Sequence, residues 1–542
     1  MIINKVVHGG PSLRIPGHIS YGQYVIDKFK EYSRGSRIAL VNGDTGHKTS
    51  FSELLQNIVD LATGLKTIGV KRGDVVALSS ENRIEFLVSA VAAICCGATV
   101  TTLNPTYTED ELIHVLKISK PSILVCSQPV LKNHLLTFKS TSSIRKMIQF
   151  DGIPLNNEVL SYENIPISTN ALEYEAEEVQ GWTDVVYILY SSGTTGLPKG
   201  VMLTHLNALY AASNYENKTT YEEAYSRFLT IVPWYHCYGL ITTVNYITVR
   251  KMLVYFAGFN PTKYFSAIQD HKINVLLMVP PMVVFLGKSP LAAQYDLSSV
   301  TVAWCGAAPL TKETIEAAMK RMPNCKGIFQ AYGMTETTTA AMKDPDEEDA
   351  LQKIGGGGRP LPGMKAKIVD INTRRKLGPY QNGEICIKGP VVMKGYAGNY
   401  VATRETFDDE GYIKTGDIGY YDEDGYFFIV DRFKELIKYK GSQVAPASVE
   451  SVLLQHKDVA ECGVVGAPDD VAGELPTAFV VLKPGVTVTE KQIQDFVASR
   501  LSPVHHLRGG VLFVKDIPKN PSGKILRRLL KQGLIKKQQS KL

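Results

Sequence analysis

The sequence predicts a multi-domain α/β protein, with a large N-terminal domain of parallel-sheet αβ layers and a small α+β domain after it. Three observations predict this class. The chain has 542 residues, whereas a single hydrophobic core stops growing near about 250–300 residues. Short β-branched runs alternate with amphipathic segments over most of the chain, which is typical of parallel sheets covered by helices on both faces. From Met364 the strands become short and are separated by glycine turns.

The expected elements of the large domain can be read in chain order. Val75–Leu78 has the composition of a strand, and Arg83–Ile94 has helical period. Further strands are expected at Ile123–Cys126, Val185–Leu189, Asn274–Val279 and Val300–Trp304. Parallel sheets place ligand loops at the carboxyl ends of their strands, so the residues that follow these strands are candidates for a site.

A small β-rich subdomain is expected at about residues 364–430, at the end of a large domain spanning residues 1–430. Its predicted strands are Ala366–Val369, Gly383–Ile387 and Tyr426–Val430. A joint is expected at residues 431–432, and residues 433–542 are expected to form the small domain. The predicted elements of that domain are helices at Ala447–Gln455 and Glu490–Leu501 and strands at Cys462–Val465 and Ala478–Leu482.

The overall composition is that of an ordinary globular protein. Hydrophobic residues make up 44% and charged residues 21%, which excludes wholesale disorder, collagen-like repeats and a disulfide-dense mini-domain. The longest apolar stretch, Phe86–Val100, is interrupted by Ser89 and Gly97, so it predicts a buried helix running into a strand and no integral membrane segment. Eight cysteines are scattered without a CxxC pair, which predicts buried thiols in a reducing compartment.

The C-terminal segment is strongly basic. From Lys515 to Leu542 there are nine Lys and Arg residues and one acid, against a net charge of +6 for the whole chain. A solvated terminal helix explains this charge, and an anionic lipid or a phosphorylated ligand is the alternative. No nucleic-acid-binding motif accompanies it, which argues against nucleic acid as a partner. The final Ser540-Lys541-Leu542 matches the peroxisomal import address, which predicts recognition by the import receptor and a peroxisomal location.

The strongest motif is the loop Tyr190–Gly200, directly after an apolar strand. Its glycines allow close approach of the backbone, and its hydroxyls and Lys199 offer donors, a set that suits a polyphosphate. It is not a Walker A loop, because Lys199 sits between Pro198 and Gly200.

This loop, with the following Val201–His205, resembles the AMP-binding signature of the adenylate-forming superfamily. Further matching segments follow in the family's order: Tyr332–Glu336, Thr415–Asp417, Asp431-Arg432, Gly441–Pro446 and Asn520–Lys524. The resemblance covers residues from about 20 to 530. The groups it resembles most are the 4-coumarate–CoA ligases and the insect group of fatty acyl-CoA synthetases and beetle luciferases.

The resemblance implies ATP, Mg²⁺ and coenzyme A as the small molecules used. A carboxylate would attack the α-phosphate of ATP to give an acyl-adenylate and pyrophosphate, and a thiol would then displace AMP. In this family Glu336 and Thr195 would hold the metal, Asp417 with Arg432 would bind the ribose, and Lys524 would bridge carboxylate and α-phosphate. The full set of expected ATP and AMP contacts is Ser191, Ser192, Gly193, Thr194, Thr195, Gly196, Lys199, Gly306, Ala307, Ala308, Gln330, Ala331, Tyr332, Gly333, Met334, Thr335, Asp417, Arg432 and Lys524.

The second half-reaction is expected to use another face of a mobile small domain. Rotation about the hinge at Asp431 would exchange Lys524 for the segment Lys438–Gln443, a gating motion of an ordinary kind. In this arrangement Lys438 would face the adenylate, and Gly441 would let the pantetheine arm of CoA pass the backbone. Lys440 and Gln443 complete the expected CoA set.

The resemblance places an acyl pocket around His236, which would guard the carboxylate. Its other expected lining residues are Tyr235, Tyr238, Cys305, Gly306, Met334 and Thr339. This pocket departs from the beetle luciferases, which carry an arginine where this chain has Ala211, a serine in place of Thr339, and Gly-Phe or Ala-Phe in place of Cys237-Tyr238. The expected activity is therefore an acyl-CoA ligase for a fatty or cinnamate-like acid, with a luciferase as the alternative.

Overall fold

The computed structural model describes residues 1–191, 198–216, 226–306, 310, 312–344, 351–440, 442–469, 471–519 and 524–539. Within these residues the α/β class is confirmed. Two largely parallel sheets form the body of the chain, an antiparallel sheet adjoins them, and a small α+β unit follows at the C-terminus.

The first sheet is parallel except at one edge. In spatial order its strands are Gly395–Tyr396, Lys199–Thr204, Val185–Ser191, Thr99–Thr102, Val75–Ser79, Ile123–Cys126, Lys146–Gln149 and Val159–Ser161. The strands from Val185–Ser191 onward run parallel to one another, and the first two pair antiparallel. The expected strand at Ile123–Cys126 is confirmed at both ends, because a fully apolar run between polar loops leaves little choice of boundary.

The second sheet follows the same rule, with a parallel centre and antiparallel edges. In spatial order its strands are Arg359–Pro360, Met342–Lys343, Ile328–Tyr332, Val302–Cys305, Val275–Met278, Arg227–Thr230, Met252–Tyr255, Ile38–Asn42 and Lys48–Ser50. The strand expected from Val300 begins two residues later, because the backbone N–H of Val300 bonds to the Leu297 carbonyl in the preceding turn.

Helices cover both sheets, and one of them is enclosed by apolar side chains. They are Tyr21–Tyr32, Phe51–Thr67, Ile84–Cys95, Glu109–Ser119, Gln128–Ser140, His205–Glu216, Cys237–Thr248, Pro261–Asp270, Pro280–Lys288, Lys312–Met319 and Tyr400–Thr406. From Phe86 to Cys95 every residue of helix Ile84–Cys95 is buried, as expected for a helix that is apolar on all sides. The largest hydrophobic core joins this helix to both sheets.

The β-rich subdomain is an antiparallel sheet that draws on both ends of the large domain. Its strands are, in spatial order, Ile2–Ile3, Val6–His8, Lys365–Val369, Gly383–Lys388, Ile413–Tyr421 and Phe427–Arg432. The first two were not expected from the sequence, because strands of two and three residues are too short to show a period. His8 pairs with Lys365, and this pairing attaches the N-terminal strands to the sheet.

The C-terminal unit has its own hydrophobic core. Its strands are Ile437–Tyr439, Ser442–Val444, Val459–Asp469, Gly473–Leu482 and Val511–Phe513, and its helices are Pro446–Gln455, Glu490–Ala498 and Arg527–Gln539. Short 3-10 turns lie at Tyr162–Asn164, Pro290–Gln294, Thr335–Thr337 and Pro503–His505. Across the described residues of the whole chain, no helix combines the length and apolarity that crossing a bilayer requires.

Candidate active site

A cleft of about 530 Å³ opens where strands of both large sheets end and the C-terminal unit meets them. Many of the expected residues line it: Ser191, Lys199, His236, Tyr238, Cys305, Gly306, Ala331, Gly333, Met334, Thr335, Glu336, Thr339, Arg432 and Lys524. The expected residues Ser192, Gly193, Thr194, Thr195, Gly196, Ala307, Ala308 and Gly441 and the terminal Ser540-Lys541-Leu542 lie outside the described residues.

We group the residues that line the cleft into two sets, which we name the outer arm and the inner arm. The outer arm contains Lys199, Glu336, Tyr396, Arg432 and Lys524, and the inner arm contains Ala211, Asn214, Tyr215, Thr242, Tyr246, Leu277, Trp304 and Lys343. Cys237, Cys305 and Thr335 also line the cleft, and we call this set, together with His236, the junction of the arms.

In the outer arm, a lysine and a carboxylate are held by one tyrosine. Lys199 pairs with Ser191 across the first sheet, so both ends of the glycine-rich loop are anchored in strands. The Lys199 ammonium lies 4.7 Å from the centre of the Tyr396 ring, and the Tyr396 hydroxyl donates to Glu336 Oε1 at 2.9 Å. Burial and the adjacent Glu336 raise the pKa of Tyr396, so the hydroxyl keeps its proton and remains a donor.

The carboxylate of Glu336 is a suitable ligand for a Mg²⁺ ion that is also held by nucleotide phosphates. Mg²⁺ is usually held by one or two protein carboxylates together with substrate phosphates and water. Glu336 is 4% exposed and lines the cleft, and Oε1 of its carboxylate accepts a hydrogen bond from the Tyr396 hydroxyl. Among the described residues no group of three His, Cys, Asp or Glu side chains converges to form an all-protein metal cage.

Asp417 is buried, does not line the cleft itself, and is held between two partners. Arg432 lies opposite Asp417 in the antiparallel sheet, and its Nε is 3.0 Å from Asp417 Oδ1. The Tyr332 hydroxyl donates to Asp417 Oδ2 at 2.7 Å. A carboxylate offers about four lone-pair positions, so Asp417 retains the capacity to accept hydroxyls of a ligand.

Three expected residues have other roles. The Gln330 side chain accepts from the backbone N–H of Leu310 at 3.1 Å and is buried, so it does not line the cleft. Tyr332 contributes its hydroxyl to Asp417 and likewise is not a lining residue. Tyr235 lies outside the lining, and its carbonyl accepts from the Thr102 hydroxyl at 2.6 Å.

The turn that follows strand Ile328–Tyr332 needs glycine at one position. A Cβ on Gly333 would lie 1.7 Å from the carbonyl oxygen of Thr339, so a larger residue would push the two segments apart. Thr338 and Thr339 both have positive φ, which lets the chain turn back after the 3-10 turn Thr335–Thr337. This tight turn directs Thr335 and Glu336 into the cleft.

The C-terminal unit delivers Lys524 to the outer arm. Lys524 Nζ lies 3.8 Å from Glu435 Oε1. Burial, together with the neighbouring charge of Arg432, lowers the pKa of Lys524. The hairpin that carries the other expected lysines lies elsewhere: Lys438 and Lys440 are both described, are exposed and are not among the cleft residues.

A buried network of charged residues supports Lys524. We call it the hinge cluster: Asp431, Glu435, Glu450, Lys524 and Arg527. The Arg527 guanidinium donates to Glu435 Oε2 at 2.7 Å and to both oxygens of Glu450 at 2.9 and 2.8 Å. Asp431 Oδ2 accepts from the first-turn N–H of Ala447 at 3.1 Å, which ties the joint to helix Pro446–Gln455.

A direct bond between the large domain and the C-terminal unit also comes from a lysine. Lys288 ends helix Pro280–Lys288, and its Nζ lies 3.4 Å from the carbonyl oxygens of both Leu454 and Val459. Leu454 belongs to the last turn of helix Pro446–Gln455, where carbonyl groups lack intrahelical donors.

A histidine and a cysteine mark the junction of the arms. His236 caps helix Cys237–Thr248, with Nδ1 accepting from the N–H of Tyr238 at 3.3 Å. Cys237 Sγ lies 3.8 Å from His236 Nδ1 and 3.4 Å from Thr335 Oγ1. Burial alone would raise the pKa of Cys237, but the neighbouring His236 lowers it on balance. Cys237 in turn raises the pKa of His236.

The inner arm lies between helices and the second sheet. Ala211, Asn214 and Tyr215 come from helix His205–Glu216, and Thr242 and Tyr246 come from helix Cys237–Thr248. Leu277, Trp304 and Lys343 belong to strands of the sheet. The Tyr238 hydroxyl donates to the Met278 carbonyl at 3.3 Å, which fixes its ring beside Gly306.

Comparisons with known proteins agree with this geometry. The family model of AMP-binding enzymes matches residues 30–397, and that of the AMP-binding enzyme C-terminal domain matches residues 448–524. A luciferin 4-monooxygenase of Nipponoluciola cruciata is 40% identical over 531 residues, covering 95% of this chain and 96% of that protein. A peroxisomal OPC-8:0-CoA ligase of Arabidopsis thaliana is 38% identical over 496 residues, covering 91% and 90%. The crystal structure of ATP-bound MatB from Rhodopseudomonas palustris superposes with a TM-score of 0.83 at 27% identity, covering 94% and 98%.

Proposed function

This chain belongs to the family of AMP-binding, adenylate-forming enzymes, and from that premise we propose that it is an ATP-dependent acyl-CoA ligase. It would activate a fatty or cinnamate-like carboxylic acid as the acyl-adenylate, transfer the acyl group to CoA, and release AMP and pyrophosphate. The observation that carries the proposal is the presence of Lys524 in the same cleft as Glu336 and Arg432.

The chain's own residues divide the adenylation step among them. Lys524 would sit between the acid's carboxylate and the α-phosphate, where its charge stabilises the transition state. Glu336, with Thr195, would hold Mg²⁺, which neutralises phosphate charge when bound. Asp417, held by Tyr332 and Arg432, would accept the ribose hydroxyls. His236 would stand next to the carboxylate at the junction of the arms.

Transfer to CoA would need a second arrangement of the C-terminal unit. In the arrangement observed, Lys438, Lys440 and Gln443 belong to a hairpin outside the cleft. Rotation about Asp431 would replace Lys524 by this hairpin, with Gly441 next to the pantetheine arm. Asp431 is the residue whose carboxylate bonds to helix Pro446–Gln455, so a change of backbone angles there would turn the unit with its first helix.

A luciferase is the second candidate, and the 40% identity to a luciferin 4-monooxygenase favours it. Ala211 supports the ligase instead. It lines the inner arm at the position where the luciferases have arginine, so a charge that could contact luciferin is replaced by a methyl group. Thr339, also in the lining, adds a methyl where luciferases have serine. In a tight pocket extra volume costs roughly 1–3 kcal/mol.

We also propose a peroxisomal location, through binding of Ser540-Lys541-Leu542 to the import receptor. The motif and the peroxisomal ligase relative support it. Deleting the three residues should move the protein to the cytosol with its kinetics in vitro unchanged. Import that survives the deletion would contradict this assignment.

The experiment that separates ligase from luciferase supplies ATP, Mg²⁺, CoA and a panel of fatty and cinnamate-like acids. AMP, thioester and, with luciferin, photons are then measured. The ligase is expected to form a thioester with at least one acid and to emit little light. Strong emission without a thioester from any acid would reverse the assignment. The matched control is Ala211→Arg, which restores the luciferase residue.

A further inference from the structure

Glu435, which is not among the expected site residues, places a carboxylate beside the lysine of the outer arm. Its backbone N–H donates to the Arg432 carbonyl at 2.9 Å, so Glu435 lies in the turn directly after strand Phe427–Arg432. Glu435 Oε1 lies 3.8 Å from Lys524 Nζ. A residue of the joint between the domains therefore meets a lysine that comes from near the end of the chain.

Arg527 fixes the Glu435 carboxylate from the other side. Arg527 begins helix Arg527–Gln539, and its guanidinium donates to Glu435 Oε2 at 2.7 Å. The same guanidinium donates to both oxygens of Glu450 at 2.9 and 2.8 Å and to the Val464 carbonyl at 3.2 Å. These contacts hold the Arg527 side chain in place, and with it the carboxylate that faces Lys524.

The charges around Lys524 oppose one another. Burial lowers the pKa of Lys524, and the positive charges of Arg432 and Arg527 lower it further. Glu435 and Asp417 act in the opposite direction, and the effect of Glu435 is the larger of the two. Asp417 is itself paired with Arg432 at 3.0 Å, and in the proposed function it accepts the ribose hydroxyls.

The separation of Glu435 and Lys524 suits a supporting charge. At 3.8 Å the two groups are farther apart than the partners of a hydrogen bond, so Glu435 acts on Lys524 through its charge. A carboxylate in hydrogen-bond contact would take up one of the three donors of the ammonium. The α-phosphate and the carboxylate of the acid need those donors in the proposed adenylation step.

On the premise of the proposed adenylation step, we propose that Glu435 is a positioning residue that keeps Lys524 charged in the cleft. Arg527 serves the same end indirectly, because it fixes the carboxylate. Lys524 remains the residue that contacts the substrates, and Glu435 acts only through it.

The first test measures the titration of Lys524 without turnover. Trace labelling with acetic anhydride across a pH series, read by peptide mass spectrometry, gives the midpoint at which Lys524 loses its proton. Glu435→Gln keeps the size of the side chain and removes the charge, so the midpoint should fall by about one pH unit or more. The midpoint of Lys531, which pairs with Glu474, should stay unchanged in the same samples.

Three further variants separate charge from structure. Glu435→Asp keeps the charge, and its midpoint should lie closer to the wild-type value than that of Glu435→Gln. Glu435→Ser, a second uncharged variant, should also lower the midpoint, and it replaces Glu435→Gln if the latter does not fold. Asp495→Asn removes an exposed carboxylate of the same unit and should have no effect. An unchanged Lys524 midpoint in the folded uncharged variants would overturn the proposal.

The second test follows the exchange of pyrophosphate into ATP, which reports adenylation. Above both midpoints, Glu435→Gln should be about tenfold slower than the wild type, whereas the two rates should approach each other at lower pH. In the Lys524→Arg background the guanidinium stays charged, so adding Glu435→Gln should cause no further pH-dependent loss. A pH-dependent loss that persists in that background would show that Glu435 acts on another group.

The labelling keeps this inference separate from the ligase proposal. If the Lys524 midpoint falls in Glu435→Gln but no acid gives a thioester, the ligase proposal fails and the assignment of Glu435 to Lys524 stands. If thioesters form and the midpoint is the same with and without the Glu435 charge, the ligase proposal stands and the role of Glu435 is wrong.

Discussion

The inner arm and the hinge cluster are built from opposite kinds of interaction. Leu277 and Tyr246 of the inner arm are buried members of the largest hydrophobic core, and Trp304 packs against that core. In the hinge cluster, Glu435 contacts both Lys524 and Arg527, and Arg527 also contacts Glu450. Apolar packing has few alternatives of equal energy, whereas charged groups can exchange partners. We therefore expect the apolar side of the cleft to be rigid, and the C-terminal unit that carries Lys524 to be able to change its position.

The largest effect is expected from removing the side chain of Arg527, which holds the hinge cluster together. In Arg527→Met the carboxylate of Glu450, which is 9% exposed, loses both of its charged hydrogen bonds. Removing one partner of a buried ion pair costs about 3–5 kcal/mol. The free energy of unfolding of the C-terminal unit, measured by urea titration, should therefore fall by that amount. Lys531, on the same helix as Arg527, forms a more exposed pair with Glu474, and Lys531→Met should cost less than about 1 kcal/mol. Equal losses in the two variants would contradict this account.

Under the proposed function, substitution of Lys524 should separate the two half-reactions. Lys524→Ala should slow pyrophosphate release by about 10²–10³-fold, because a charge contact made in the transition state is lost. Thioester formation from supplied acyl-adenylate should be largely intact. Lys438→Ala should instead slow thioester formation and leave pyrophosphate release largely intact. If both steps fall together in a folded Lys524→Ala protein, the division of labour is wrong.

The burial of Lys524 also predicts a pH effect. In its proposed role Lys524 acts in the charged form. Burial lowers its pKa from the ordinary 10.5, so adenylation should decline as pH rises through that lowered value. Above it the charged fraction falls about tenfold per pH unit. Lys524→Arg, whose guanidinium stays charged, should show no such decline even if its maximal rate is lower. An alkaline limb retained in that variant would assign the titration to another group.

Cys237 offers a probe of the junction between the arms. Its pKa is lowered beside His236, whereas burial raises that of Cys305 in the same cleft. Iodoacetamide should therefore label Cys237 faster than Cys305, and the labelling rate of Cys237 should rise with a midpoint below the ordinary thiol value of 9.0. The nearby carboxylate of Glu336 acts in the opposite direction, because its negative charge raises the pKa of Cys237. Peptide mass spectrometry measures both rates in one sample, and similar rates would contradict the prediction.

The smallest effect is expected at Lys288. Lys288→Ala removes two bonds of 3.4 Å to carbonyl groups of the C-terminal unit, and should change the balance of the two half-reactions by less than about 1 kcal/mol. The direction should favour CoA transfer, since the lost contact belongs to the arrangement with Lys524 in the cleft. Slower transfer in this variant would show that Lys288 serves both arrangements.

Local pattern predicted much of the fold and of the outer arm. Strands such as Val75–Ser79 and Ile123–Cys126 are short apolar runs, and Ser191 and Cys305 end strands that period identifies. Helix Pro446–Gln455 follows from its N-terminal proline and apolar spacing. These features depend on neighbours within a few residues.

What the sequence did not predict depends on pairing between distant segments. Tyr396 reaches Glu336 because its two-residue strand pairs with Val201 and Met202. Trp304 and Lys343 share a wall only through the register of their strands. In the sequence, nothing distinguishes Lys343 from a surface lysine. Its position beside Trp304 follows only from the pairing of its strand.

The N-terminal strands also bear on the order in which the chain can fold during its synthesis. Val6–His8 must wait for its partner Lys365–Val369, which leaves the ribosome roughly 20–70 s later at about 5–20 residues per second. During that interval the N-terminal strands have an unsatisfied backbone edge, the kind of surface to which other chains add. Contacts this distant in sequence are also those that slow folding. The sheet that contains Val6–His8 therefore cannot close until Lys365–Val369 has been synthesised.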